Sequence, residues 1–110
     1  IPVCFDAKEC RVKTFPLQNV HEHQVRFMEE FEGQGGIAFI ILYWTALDEI
    51  YYLPFDELLG FWNRMKKGGR KSFTYEEMDR SWKIGKSRDV LVHYLEMIQR
   101  DLDRREDTFC

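Results

Sequence analysis

Gly36-Ile37-Ala38-Phe39-Ile40-Ile41-Leu42-Tyr43-Trp44 is the stretch on which the fold turns. Its apolar residues run on without the alternation that one solvated face would impose, so it reads as a strand buried on both sides. It is far too short to cross a bilayer, which takes about 20 residues. Downstream, Glu49 to Leu53 reads as a shorter strand that returns through a turn at Thr45 to Asp48, making a hairpin. Upstream, Gly33, Gly35 and Gly36 stop a helix expected from about Gln18 to Glu32, with Val20, Phe27, Met28 and Phe31 on its inward face. Before it, Ile1 to Ala7 reads as a strand, and Lys8 to Leu17, ending in Phe15-Pro16-Leu17, as a loop.

Beyond the hairpin, Pro54 opens a helix where proline is tolerated, and Phe55, Leu58, Leu59, Trp62 and Met65 recur at helical spacing until Gly68 and Gly69 end it. Thr74-Tyr75-Glu76-Glu77 reads as a short capped helix and Ile84 to Lys86 as a turn. Ser87 can cap a last helix carrying Val90, Leu91, Tyr94, Leu95, Ile98 and Leu102, with the charged tail from Asp101 to Asp107 expected to fray. Strand, helix, two strands and then helices describe an α/β fold in which a mixed sheet is flanked by helices.

A length of 110 residues with 45% hydrophobic content fits one domain, residues 1–110, with enough apolar mass for a core. The chain begins at Ile1 without an initiator Met and its first residues read as mid-strand, so the expectation is the carboxy-terminal portion of a longer chain. Lys and Arg number 16 against 19 Asp and Glu, a net charge of -3, which excludes holding nucleic acid by bulk attraction and leaves only local basic surfaces. Cys4, Cys10 and Cys110 are odd in number, lack a C-x-x-C spacing and follow no signal peptide; they read as free thiols in a reducing cytoplasm.

Asp6-Ala7-Lys8 is the first chemical candidate. On a strand, residues two apart share a face, so a carboxylate and an ammonium stand side by side. Carboxylate oxygen suits a hard ion such as Mg²⁺, and the neighbouring amine can orient or deprotonate an attacking water and offset charge on a phosphate. The same two residues equally make an ordinary surface ion pair. Gln24, on the stripe expected to face the sheet, needs a polar partner there, either in the site or in the backbone. His21 and His23, two apart on a helix, cannot clasp one metal together. Lys66, Lys67, Arg70 and Lys71 flank a Gly pair and form a candidate phosphate-binding loop, or merely a helix terminus whose lysines complement the dipole. Arg11 and Lys13 make a second, weaker basic patch. Phe15, Tyr43, Trp44, Tyr51, Tyr52 and Trp62 could stack on bases, but their strand and stripe positions assign them to packing.

Phe5-Asp6-Ala7-Lys8-Glu9, Thr14-Phe15-Pro16-Leu17-Gln18-Asn19 and His21-Glu22-His23-Gln24, followed by Gly36-Ile37-Ala38-Phe39, Ile50-Tyr51-Tyr52-Leu53, Phe61-Trp62 and Gly69-Arg70-Lys71-Ser72, resemble the RecU family of bacterial Holliday junction resolvases. The resemblance covers the chain to about Glu77 and is looser along the last helix. It implies a restriction-endonuclease-like core and a homodimer that nicks four-way DNA junctions with Mg²⁺ or Mn²⁺, without a small-molecule cofactor or a membrane. By the same resemblance Asp6 stands at the strand carboxylate that binds metal, commonly Glu in the family, Lys8 at the catalytic lysine and Gln24 at the helix glutamine. Two family features, a further metal-binding Asp on the preceding strand and a projecting stalk, have no counterpart in this sequence. Glu9 is expected on the strand face opposite Lys8. Two other readings stay open: a member of the same fold that binds branched DNA or a recombination protein without cutting, and a nuclease of that fold with another duty.

Overall fold

The structure, a computed structural model, describes residues 1–85 and 90–109, with side chains for 1–84 and 96–105. In chain order it comprises β1 (Val3–Cys10), β2 (Thr14–Pro16), a 3₁₀ turn at Leu17–Asn19, α1 (Glu22–Gly33), β3 (Ile37–Trp44), a 3₁₀ turn at Thr45–Leu47, β4 (Glu49–Pro54), α2 (Phe55–Lys66), β5 (Ser72–Thr74), 3₁₀ turns at Tyr75–Glu77 and Arg80–Trp82, β6 (Lys83–Gly85) and α3 (Val90–Phe109). The main sheet has the order β1-β3-β4-β6. Parallel strands cannot be joined by a tight turn, and α1 supplies the crossover that lays β3 parallel to β1, with Val3 opposite Ile37 through to Cys10 opposite Trp44. The other neighbours in this sheet are antiparallel, and β2 and β5 form a small antiparallel pair of their own. A mixed sheet with three helices is the expected α/β class.

β3 is buried as its composition dictates: Ile37, Ala38, Phe39, Ile40, Leu42 and Trp44 all lie in the core. Around it the aromatic residues pack on one another. Tyr52 stacks on Phe39 with ring centroids 4.4 Å apart and on Trp82 at 5.2 Å, and Phe61 stacks on Phe73 at 4.4 Å. Phe15, Trp44, Tyr51, Tyr52 and Trp62 are therefore core residues, while half-buried Tyr43 donates to Asp48 at 2.8 Å. Cys4 and Cys10 are free thiols, as read; Cys110 lies outside the described residues.

Several boundaries differ from the sequence reading, each for a physical reason. β1 extends to Cys10, because β3 offers a partner for every residue as far as Trp44; Lys8 is thus inside the strand, and the expected loop from Lys8 to Leu17 also contains β2. The helix expected from Gln18 starts at Glu22, since Val20 and His21 are extended and a separate 3₁₀ turn precedes them. Its inward residues are Val25 and Met28; Phe27 is 57% exposed and is not one of them. The turn expected at Ile84 to Lys86 is a strand through Gly85, held by pairing with β4 and by burial of Ile84. Ser87 as a cap lies outside the described residues, as do the side chains of Val90, Leu91, Tyr94 and Leu95, whereas Ile98 and Leu102 pack against the core.

The charged tail does not fray from Asp101 onward: α3 continues to Phe109, and Asp101 is fully buried. Its carboxylate accepts from Tyr52 Oη at 2.9 Å and pairs with Arg104 and Arg105, each at 2.9 Å. Arg105 reaches on to Glu32 with two bonds of 3.0 and 2.8 Å, and Glu32 accepts the Ala38 amide at 2.9 Å. The last helix is thereby fastened to β4, to the end of α1 and to the start of β3. Burial, followed by the Asp101 charge, pushes the Tyr52 phenol far above its ordinary range, which keeps it a donor.

Candidate active site

Alternation along β1 turns Cys4, Asp6, Lys8 and Cys10 to its more buried face, and Val3, Phe5, Ala7 and Glu9 to its exposed one. Glu9 is thus opposite Lys8, as expected from strand geometry. Lys8 Nζ lies 2.9 Å from Asp6 Oδ2, and Gln24 Nε2 donates to the same oxygen at 3.1 Å. The other oxygen, Oδ1, accepts the Ala7 amide at 2.9 Å. Three residues from two elements meet, because the β1-α1-β3 crossover brings the first turn of α1 over the middle of β1.

The orientation of Gln24 is set locally. His21 precedes the helix, and its backbone N–H donates to Gln24 Oε1 at 3.2 Å, the second half of a capping box. With its carbonyl engaged on the helix N-terminus, the amide presents its NH₂ to Asp6. This answers the question the sequence left open: Gln24 has both a backbone and a site partner. Burial raises the Asp6 carboxyl; the hydrogen bonds from Lys8 and Gln24, the Lys8 charge and the Ala7 amide outweigh it and hold the group below its ordinary value. Asp6 is therefore a carboxylate at neutral pH.

Replacing Gln24 by Leu is expected to move the Asp6 carboxyl back towards its ordinary value, read as an upward shift in its carboxyl titration by NMR. Because the folded value is depressed, the stability that Asp6 contributes is present above the unfolded value and lost as pH falls through the folded one. The Leu variant then loses less stability on acidification; an unshifted Asp6 titration would show that the amide does not hold the carboxylate.

Asp6 and Gln24 open on a cleft of about 420 Å³ whose other walls are Cys4, Phe5, His23, Phe27 and Met28. His21 and His23 stack in parallel with centroids 5.4 Å apart. Among the described residues, no group of three or more His, Cys, Asp or Glu could hold a metal ion.

The basic loop is tied to this region twice. Lys66 pairs with Glu22 at 3.2 Å, and the Leu17 amide donates to the Lys71 carbonyl at 2.9 Å. Lys67, Arg70 and Lys71 are exposed. The Gly pair has a structural use: Gly68 sits at φ 91, and Gly68 and Gly69 return hydrogen bonds to Met65 and Arg64 that close the end of α2. A Cβ on Gly69 would lie 2.7 Å from the Arg64 carbonyl oxygen. Arg11 and Lys13 are also exposed, between β1 and β2. Sequence reasoning missed a groove formed by Pro16, Leu17, Gln18, Trp62, Met65 and Lys71, whose residues come from two separate segments of the chain.

Comparison with known proteins gives a family model, Recombination protein U, that matches residues 1–100. The chain is 49% identical over 76 residues to the Holliday junction resolvase RecU of Bacillus cereus, a match covering 68% of this chain and 38% of that protein. For the same-named protein of Bacillus thuringiensis the identity is 49% over 75 residues, 67% of this chain and 38% of the relative. For that of Bacillus mycoides it is 47% over 76 residues, with shares of 68% and 38%. The match thus spans well under half the length of these relatives.

Proposed function

The chain belongs to the RecU, or recombination protein U, family, and from that premise we propose that it carries part of the phosphodiester-cleaving site of a divalent-metal-dependent endonuclease that resolves four-way DNA junctions in the cytoplasm. The observation that carries this reading is the convergence of Lys8 and Gln24 on one carboxylate oxygen of Asp6. A parallel β1-α1-β3 unit in a mixed sheet suits the restriction-endonuclease-like core that the family resemblance implies.

Ionised Asp6, facing a cleft, has the donor chemistry that Mg²⁺ or Mn²⁺ requires, although a single carboxylate needs phosphate oxygens or other ligands to complete a shell. Asp6 would hold the ion, which when bound supplies positive charge against the scissile phosphate. The remaining steps belong to side chains present here. As water attacks phosphorus and the opposite P–O bond breaks, charge grows on the phosphoryl oxygens. Lys8, kept close by Asp6, donates to and orients that water and offsets this charge. Gln24 positions Asp6 and leaves it ionised. The exposed cations Lys67, Arg70 and Lys71, which follow the Lys66–Glu22 ion pair, are assigned to the DNA backbone, with Arg11, Lys13 and Lys66 as additional contacts. A junction presents two equivalent strands, which a homodimer would cut with one site on each.

One observation favours a second reading, binding without cleavage: among the described residues, no group of three or more His, Cys, Asp or Glu could hold a metal ion around Asp6. Cleavage of a labelled four-way junction by the full-length protein with Mg²⁺, beside a linear duplex, decides between them. Paired nicks on the junction alone support the resolvase; tight binding with no nick supports the binding protein. Substituting Lys67, Arg70 and Lys71 together by Ala is expected to flatten the dependence of log K on log salt by about three, roughly one per phosphate contact. An unchanged slope would remove the basic loop from the interface.

A further inference from the structure

Between the turn at Leu17–Asn19 and α2 lies a groove of about 370 Å³, lined by Pro16, Leu17, Gln18, Trp62, Met65 and Lys71. Its floor is apolar, with Leu17 and Trp62 buried and Pro16 and Met65 half-buried, whereas Gln18 and Lys71 at its rim are exposed. The two walls hold each other through the backbone. The Leu17 amide donates to the Lys71 carbonyl at 2.9 Å, and Pro16 pairs with Ser72 across the β2–β5 ladder. Such a slot is pre-formed, as ligand sites commonly are.

Charge identifies the occupant. Lys71, exposed, ends the basic loop, and Lys66 Nζ, paired with Glu22 at 3.2 Å, stands 5.6 Å from the centre of the Trp62 ring, so a ligand entering here has the Lys71 cation beside it and a second lysine on the same flank. A nucleotide combines the three features that the walls complement: a flat face for the apolar floor, a hydrogen-bonding edge for the Gln18 amide, and a phosphate for the lysines. In a continuous duplex the face is stacked and the edge is paired, so a base that is already unpaired enters without the cost of unstacking and unpairing. We infer that this groove receives one unpaired nucleobase of DNA lying across the basic loop. The inference rests on the reading of this surface as DNA-facing.

The test measures binding of the full-length protein, without added divalent metal, to duplexes containing a short unpaired stretch. Each unpaired position in turn is replaced by an abasic site or by fluorescent 2-aminopurine. At one position the abasic replacement is expected to weaken binding about tenfold, in line with loss of one stacked base, and 2-aminopurine at that position changes its emission on binding. Gln18→Ala, on the exposed rim, and Met65→Ala, on the floor, are expected to shrink that penalty to about twofold or less while leaving the salt dependence intact. An abasic penalty absent at every position, or equally large in both variants, overturns the groove assignment while steep salt dependence keeps the DNA-binding reading. Absence of any salt-dependent binding overturns both.

Discussion

Junction cleavage by the full-length protein is expected to fall by about 10²–10⁴-fold when Lys8 is replaced by Ala or Asp6 by Asn, with junction binding changed by less than about threefold. The argument is one of scale. As a structural ion pair, Lys8 and Asp6 are modest: their side chains are 21% and 36% exposed, and pairs of that kind are worth about 0–1 kcal/mol. Neither substitution should therefore lower the urea midpoint by much. As part of a hydrolytic site, the same two groups act on charge that exists only in the transition state, where losing one positioned cation or carboxylate is far more costly. A large kinetic loss beside a small loss of stability separates the two roles. Lys8→Arg is a useful companion, since the planar guanidinium is a different donor from a compact ammonium and should rescue little. Cleavage within a few-fold of the parent in Lys8→Ala would reduce the pair to surface electrostatics.

The opposite signature is expected at Asp101. Asp101→Ala should lower stability by about 3–5 kcal/mol, the scale on which breaking a buried ion network operates. The fully buried carboxylate unites Tyr52, Arg104 and Arg105, and its removal leaves a core hydroxyl without its acceptor and two guanidinium groups without their shared anion. Arg104 keeps a two-point contact with Asp56 and Arg105 one with Glu32, so the loss centres on Tyr52 and on the docking of α3. Chemical denaturation of Asp101→Ala beside Asp101→Asn checks this. The isosteric Asn retains an acceptor for Tyr52 but no charge and should fall between parent and Ala. Parent-like stability in the Ala variant would mean that α3 is held by its apolar side alone.

The two sites also show what a sequence can tell in advance. Lys8 and Asp6 were legible because strand periodicity is a rule of two, and nothing distant is needed to place them together. The continuous apolar run of β3 and the stripe of α2 were legible for the same reason, since period and composition agree. Gln24 was half legible: its inward position followed from the helix, but the amide's orientation depends on the His21 backbone, which no side-chain pattern encodes. Phe27 was misplaced because the helix begins at Glu22, four residues later than the apolar pattern suggested. The short strands β2, β5 and β6 escaped because three residues are too few to show a period, and their pairing partners lie far along the chain. Asp101 was read as frayed because a run of charges resembles a solvated tail. Only its meeting with Tyr52, 49 residues away in sequence, turns it into core.

Among the described residues, β1 has a ladder to β3 on one side, whereas β3 is laddered on both. Of its residues only Cys10 is buried, so releasing β1 exposes far less apolar surface than unfolding the whole chain. Local opening of this strand therefore costs less free energy than global unfolding, and its amides exchange with solvent ahead of those of Ile40 or Tyr51. Within these residues, the lifetime of the Asp6–Lys8–Gln24 cluster is then that of a strand laddered on one side. Mild denaturant would silence the cluster while the interior stays closed, and any ligand that bridges β1 and α1 would slow exchange there first.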